Sequence, residues 1–181
     1  MAGKGQMFAV LFRILTCRNC CRYNERVRFA LRDYRPDDLL RLWKIDQGCF
    51  SPGIAYSRLE LETYIRRSRS FTLVAEAVDG EGDSRPILGF LVAEAGRGGV
   101  GHIITIDVVG EARRFGVGSE LLQKAEERLR AGGSHAVALE TAVDNKAALS
   151  FYKRHQYFLV KTVPRYYANG VDAIVLKKDL S

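Results

Sequence analysis

The stretch from Ile103 to Leu129 constrains this chain more than any other. An apolar, β-branched strand runs into Arg113-Arg114-Phe115-Gly116-Val117-Gly118 and then into a helix. Val117, Leu121, Leu122, Ala125 and Leu129 fall on one face of that helix, which must therefore be buried against a sheet. Gly116 and Gly118 carry no Cβ, so backbone can approach a ligand closely there and take unusual dihedrals. The first N–H groups of the helix have no intrahelical partner and lie at the positive end of its dipole. Together these features make a seat for an anionic diphosphate, with Arg113 and Arg114 adding positive charge at its rim. The unit is neither a dinucleotide-binding GxGxxG nor a Walker A loop, because no Lys-Ser/Thr follows the second glycine. A plain turn between strand and helix is the competing reading.

The rest of the chain supplies the sheet. Val27–Arg32 alternates as a half-buried strand does. Pro36, with Asp37 and Asp38 at the positive end of the dipole, opens a helix carrying Leu39, Leu42 and Trp43 that stops near Gly48. Ser57-Arg58-Leu59-Glu60 is a capping box and starts a second helix towards Ser68. Phe71–Val78 and Ile87–Ala95 read as an antiparallel hairpin, and His102–Val109 as a central strand. After the helix closed by Gly132-Gly133 come a strand at Ala136–Ala142, a helix at Lys146–Arg154, and strands at Tyr157–Val163 and Asp172–Lys177. The order β-α-α-β-β-β-α-β-α-β-β gives a mixed α/β sheet covered by helices. Arg66-Arg67-Ser68-Arg69 reads as a solvated helix end.

At 181 residues this is one domain's worth of chain. Residues 1–25 form an N-terminal extension and 26–181 the domain. Of the +7 net charge, the first 26 residues supply +4. The body is too weakly basic for nucleic-acid binding. Met7–Leu15 is too short to span a bilayer. Cys17, Cys20 and Cys21 crowd the extension and only Cys49 lies in the domain, which fits a cytoplasmic protein rather than a disulfide scaffold. The three histidines stand apart from other ligand types, so no metal is expected. Nothing in the sequence fixes an oligomeric state.

Arg113-x-x-Gly116-x-Gly118, between an apolar strand and a helix, resembles the acyl-CoA loop of the GNAT acetyltransferase superfamily. Leu139-Glu140-Thr141-Ala142-Val143-Asp144-Asn145 through Ala148 to Tyr152 resembles the matching block of RimI-type ribosomal-protein-alanine N-acetyltransferases. Arg165-Tyr166-Tyr167 with Gly170, Asp172 and Ala173 is similar to that family's final hairpin. The resemblance runs from Val27 to Lys178. It implies the GNAT fold, a mostly antiparallel central sheet splayed between strands four and five with helices on both faces, and acetyl-CoA as acyl donor without a metal. Three departures stand out. Gly110 replaces a proline, Gln156-Tyr157 replaces Gly-Phe, and Thr141-Ala142 replaces Val-Arg. A non-glycine at position 156 must bear a left-handed penalty or force another cap.

The resemblance also implies roles. Backbone groups of Ile106, Asp107 and Val108 go to the acetyl and pantetheine portion, with an N–H near Val108 facing the developing oxyanion. Arg113, Arg114, Phe115, Gly116, Val117, Gly118 and Ser119 go to the diphosphate, and the Asn145 side chain to the coenzyme's arm. Glu140 matches the proton acceptor and Tyr152 the proton donor, with no covalent intermediate and no role for Cys49 as nucleophile. Taken alone, Glu140 reads as a solvated strand end and Tyr152 as a core-edge aromatic. The segment from Phe50 through Ile54 to Tyr56 resembles the loop of N-terminal acetyltransferases that lines the pocket for the first substrate residue, and Tyr166 and Tyr167 match aromatics opposite it. The implied reaction is acetylation of the N-terminal α-amine of a protein, a ribosomal protein in the RimI case. The alternatives are acetylation of a small amine or lysine side chain, and a non-enzymatic acyl-CoA-binding regulatory module.

Overall fold

The structure, a computed structural model, describes residues 27–78 and 85–180. The N-terminal extension, and with it the reading of Met7–Leu15 and of three cysteines, lies outside those residues. Its elements are β1 (Phe29–Asp33), α1 (Leu39–Cys49), α2 (Arg58–Ile65), β2 (Ser70–Ala77), β3 (Ile87–Ala95), β4 (Val100–Val108), α3 (Val117–Ala131), β5 (Ala136–Ala142), α4 (Lys146–Arg154), β6 (Phe158–Val163) and β7 (Ala173–Asp179). They follow the order the sequence implies. Pro36–Asp38 forms a separate 3-10 turn ahead of α1 rather than its first turn. There the Asp38 carboxylate accepts two hydrogen bonds from Arg32 and one from the Arg35 N–H. At α2 the Ser57 hydroxyl accepts from the Glu60 N–H while Glu60 accepts from the Ser57 N–H, the reciprocal cap the spacing implies.

One seven-stranded sheet runs β1-β2-β3-β4-β5-β7-β6. Every neighbouring pair is antiparallel except β4–β5. That parallel pair holds only at Val100↔Ala136, Gly101↔Val137 and His102↔Ala138. Beyond His102 the two strands part, so the sheet is open along the rest of β4. Apolar side chains of α3 and α4 (Leu121, Leu122, Leu129, Tyr152) pack on one face with Ile103, Leu139 and Leu176. On the other face Leu42, Leu61 and Ile65 pack against Val74, Phe90 and Val92. Helices thus seal both faces and leave the opening between β4 and β5 as the way into the sheet. Among the described residues no helix is long and apolar enough to cross a membrane.

Two local features bear on what the sequence implied. Ile104 has no register partner on β3, since Thr105 faces Val92 and Ile103 faces Ala93. This bulge re-aims the second half of β4. Gln156 takes φ +68° at the end of α4, the left-handed conformation glycine favours. Gln156→Gly should therefore raise unfolding stability by about 0.5–1 kcal/mol, the left-handed penalty less glycine's extra chain entropy. A urea melt with unchanged slope checks this.

Candidate active site

A cavity of about 1020 Å³ lies where β4 and β5 part. The amino end of α3 stands at its mouth. Gly116 caps the helix with φ +92°, and no side chain substitutes for the cap. Arg114, two residues earlier, is also left-handed, with φ +67°. Consecutive turns of this kind, followed by a helix start, gather backbone N–H groups into an anion-binding concavity. A Cβ at Gly116 would meet nothing within 4 Å, and one at Gly118 would only touch Phe151 and Val108 at ordinary distance. Backbone strain accounts for glycine at 116. At 118 the chain's own packing does not demand glycine, and room remains for a ligand in front of it. These features fit the diphosphate of coenzyme A.

Ile106, Val108, Arg113, Arg114, Gly116, Gly118, Ser119 and Asn145 line this cavity. Three members of the implied set do not. Phe115 is 41% exposed outside it, and Val117 is buried in the core beneath it. The Asp107 side chain is buried, takes the Thr105 hydroxyl at 3.0 Å and leaves its other oxygen unpaired. Burial, reinforced by the Asp46 charge, holds Asp107 well above the usual carboxylate range. The Arg113 guanidinium donates to the Val108 carbonyl at 3.0 Å and so is tied to the end of β4. Asn145 caps α4, its carbonyl oxygen accepting the Ala148 N–H at 3.0 Å.

Glu140 and Tyr152 both line the cavity. Glu140 stands on β5 just past the last β4–β5 pair. Its carboxylate lies 2.6 Å from Nε2 of His102, which occupies that last pair on β4. The histidines therefore do not all stand apart from other ligand types, because the parallel register brings His102 across the splay onto Glu140. Tyr152 is only 5% exposed and packs edge-on against Phe151 and Tyr157. Burial, with the nearby Asp107 charge, pushes its phenol up, so it stays protonated throughout the physiological range.

The far half of the cavity is walled by aromatic side chains. Phe50, Ile54 and Tyr56 line it from the α1–α2 loop, and Tyr166 and Tyr167 from the β6–β7 loop. The last two rings pack edge-on at 5.0 Å. Asp46 fastens the first loop by accepting the Tyr56 N–H at 2.9 Å, and Gln47 donates to the Tyr56 carbonyl at 2.8 Å. Burial lifts Asp46 to about 6. Gly53, left-handed at φ +85°, sits where a Cβ would lie 2.9 Å from the Cβ of Asn169. The two loops thus meet over the cavity and close it into a passage. Arg67 also lines it, its guanidinium 4.2 Å over the Tyr64 ring and paired with Glu94 at 3.1 Å, while it stays exposed with Arg66, Ser68 and Arg69 just past the end of α2. Cys49 lies 3.5 Å from the Val108 carbonyl, and burial pushes its thiol up, which suits packing and not nucleophilic attack. Sequence reasoning missed His102, Arg67 and Asn169. Only His102 had a signal in the chain, as the residue opening the strand that leads to the glycine loop.

A mixed sheet, opened between two parallel strands with a glycine-led helix at the gap, is the architecture of the acetyltransferases. The acetyltransferase (GNAT) family model matches residues 39–157, and the chain belongs to that family. It is 40% identical over 73 residues to N-alpha-acetyltransferase 30 of Schizosaccharomyces pombe, a match covering 40% of this chain and 49% of that protein. The N-alpha-acetyltransferase 30 matches thus span about half of their proteins or less. N-alpha-acetyltransferase daf-31 of Caenorhabditis elegans is 28% identical over 158 residues, covering 83% of this chain and 82% of its own. Among solved structures, Arabidopsis thaliana NAA60 in complex with acetyl-CoA shares the fold, with a TM-score of 0.73 and 21% identity over 83% of this chain and 98% of that one.

Proposed function

We propose that this protein transfers the acetyl group of acetyl-CoA to the N-terminal α-amine of a polypeptide. One observation carries the proposal: Glu140 and Tyr152 line a single passage that has the α3 amino end at one mouth and paired aromatic loops at the other. N-terminal acetyltransferases among the sequence relatives support it. The RimI-like block from Leu139 to Tyr152 makes the N-terminus of a ribosomal protein the first target to test.

When bound, acetyl-CoA supplies the thioester; the chain supplies position and protons. The α3 N–H groups hold the diphosphate, which aims the acetyl end along the open edge of β4. Among the described residues no strand pairs with that edge on the β5 side past His102, which leaves its N–H groups near Val108 to polarise the acetyl carbonyl. Glu140, oriented by His102, takes the proton of the incoming ammonium directly or through water. Tyr152 gives its proton to the departing thiolate. Phe50, Ile54 and Tyr56 face Tyr166 and Tyr167 across the remaining space, suited to an extended chain whose first side chain is desolvated.

Intact-mass assays with acetyl-CoA and short peptides, free or blocked at the α-amine, test the proposal. The free peptides should gain one acetyl group and the blocked ones none. Acetylation that survives the block would instead assign a lysine side chain as acceptor, and coenzyme binding without turnover would leave a regulatory module.

A further inference from the structure

At the coenzyme seat, Ser119 has a partner that the mechanism above does not use. Its hydroxyl oxygen lies 3.0 Å from Nε2 of His155, the residue that caps the carboxyl end of α4. The imidazole is fixed from both sides. The backbone N–H of His155 bonds the Phe151 and Tyr152 carbonyls, and its ring packs tilted against Phe151 with centroids 4.6 Å apart. Phe151 in turn is the side chain nearest to the open Cβ position of Gly118. His155 thus stands directly behind the loop that the proposed function gives to the diphosphate, and the inference below rests on that assignment.

A hydroxyl carries one hydrogen, and the state of the imidazole decides where it points. With His155 neutral and Nε2 unprotonated, Ser119 donates to the ring and turns lone pairs towards the cavity, which an anionic phosphate oxygen avoids. With His155 protonated, Nε2–H donates to Ser119, and the hydroxyl hydrogen is freed for the phosphate. We propose that His155 is a positioning residue of the coenzyme seat, which aims the Ser119 hydroxyl at the diphosphate on gaining a proton and so couples coenzyme binding to proton uptake.

The surroundings set the sign. Burial disfavours the charged ring, so His155 sits below its ordinary value in the free protein. Of the charges facing it, Glu126 on α3 favours protonation, while Lys178 on β7 and Arg154 on α4 oppose it. Lys178 bonds Glu126 at 2.6 Å, so these two largely cancel. A bound diphosphate adds negative charge beside the ring and raises its pKa. The resulting gain in affinity is full at acid pH and is lost as pH rises through the bound-state value.

Calorimetric titration with 3′-dephospho-coenzyme A tests this, since that probe keeps the diphosphate and lacks the phosphate monoester that itself titrates near pH 6. The wild-type Kd should tighten about three- to tenfold from pH 8 to pH 5.5, in line with a rise of up to about one unit in the His155 pKa. Two buffers of different ionisation enthalpy should report the matching proton uptake. His155→Phe keeps an aromatic ring against Phe151 and should lose both the tightening and the uptake, as should Ser119→Ala. His155→Lys, whose ammonium only donates, should bind at pH 8 about as well as wild type binds at pH 5.5. An unchanged pH slope in His155→Phe, or no slope in wild type, overturns the proposal and leaves the coenzyme seat standing. No binding by wild type at any pH overturns the seat itself, and this inference with it.

Discussion

Tyr152→Phe should lower kcat by about 10²- to 10³-fold and leave the Kd for acetyl-CoA within about threefold of wild type, the range expected when one proton donor is removed. The hydroxyl is the only group lost. The ring that packs against Phe151 and Tyr157 remains, so α4 and the cavity wall keep their shape. The contribution that disappears belongs to the moment the carbon–sulfur bond breaks, because a thioester in the ground state carries little charge on sulfur for the phenol to stabilise. Since burial raises the Tyr152 pKa, ionisation of this group should bring no loss of wild-type rate anywhere between pH 6 and pH 9. Stopped-flow turnover alongside equilibrium titration of the coenzyme separates the two quantities. A parallel loss of affinity and rate would make Tyr152 part of the coenzyme seat, and an unchanged kcat would end its role as acid.

The sequence carried the fold through patterns that tertiary packing did not override. The apolar face of α3, the Ser57–Glu60 cap and the β-branched run of β4 each specify a local structure that the whole fold then uses. The candidate site was legible where a residue's type alone limits the backbone, as at Gly116, or where a block of spaced residues resembles a family, as from Leu139 to Tyr152. Long-range register was not. His102 meets Glu140 only because β4 and β5 pair in parallel for three residues and then separate, and no local pattern encodes that offset. Asp107 shows the same gap. Simple alternation along β4 puts Ile103, Thr105 and Asp107 on one face, but across the bulge at Ile104 it is Ile103, Ile106 and Val108 that join the α3 core, so Thr105 and Asp107 turn to the other side with Ile104. The Asp107 carboxylate is consequently buried where the Asp46 charge acts on it. Arg67 and Asn169 come from loops whose meeting over the cavity depends on where the sheet opens.

Glu140→Gln should cost about 10²- to 10³-fold in kcat/KM at pH 7, and that deficit should shrink as pH rises. Gln keeps the length of the side chain and can still hydrogen-bond His102, so geometry is conserved while proton acceptance is removed. An α-amine has a pKa near 8, so at pH 7 about nine in ten substrate molecules carry the proton that must leave before nitrogen can attack. Wild type removes it within the complex. The variant must wait for the minority already neutral, and that minority grows about tenfold between pH 7 and pH 9. The variant's rate should follow it, narrowing the gap by about the same factor, with acetyl-CoA affinity unchanged at both ends. His102→Gln should lose less, about tenfold, and keep the wild-type pH profile, because Glu140 would still accept protons from a less fixed position. A deficit of equal size at pH 7 and pH 9 would mean that Glu140 orients the substrate and takes no proton from it. Full activity in Glu140→Gln at pH 7 would move the proton acceptor elsewhere in the passage, with Glu94 and Asp144, the other carboxylates that line it, the next to replace.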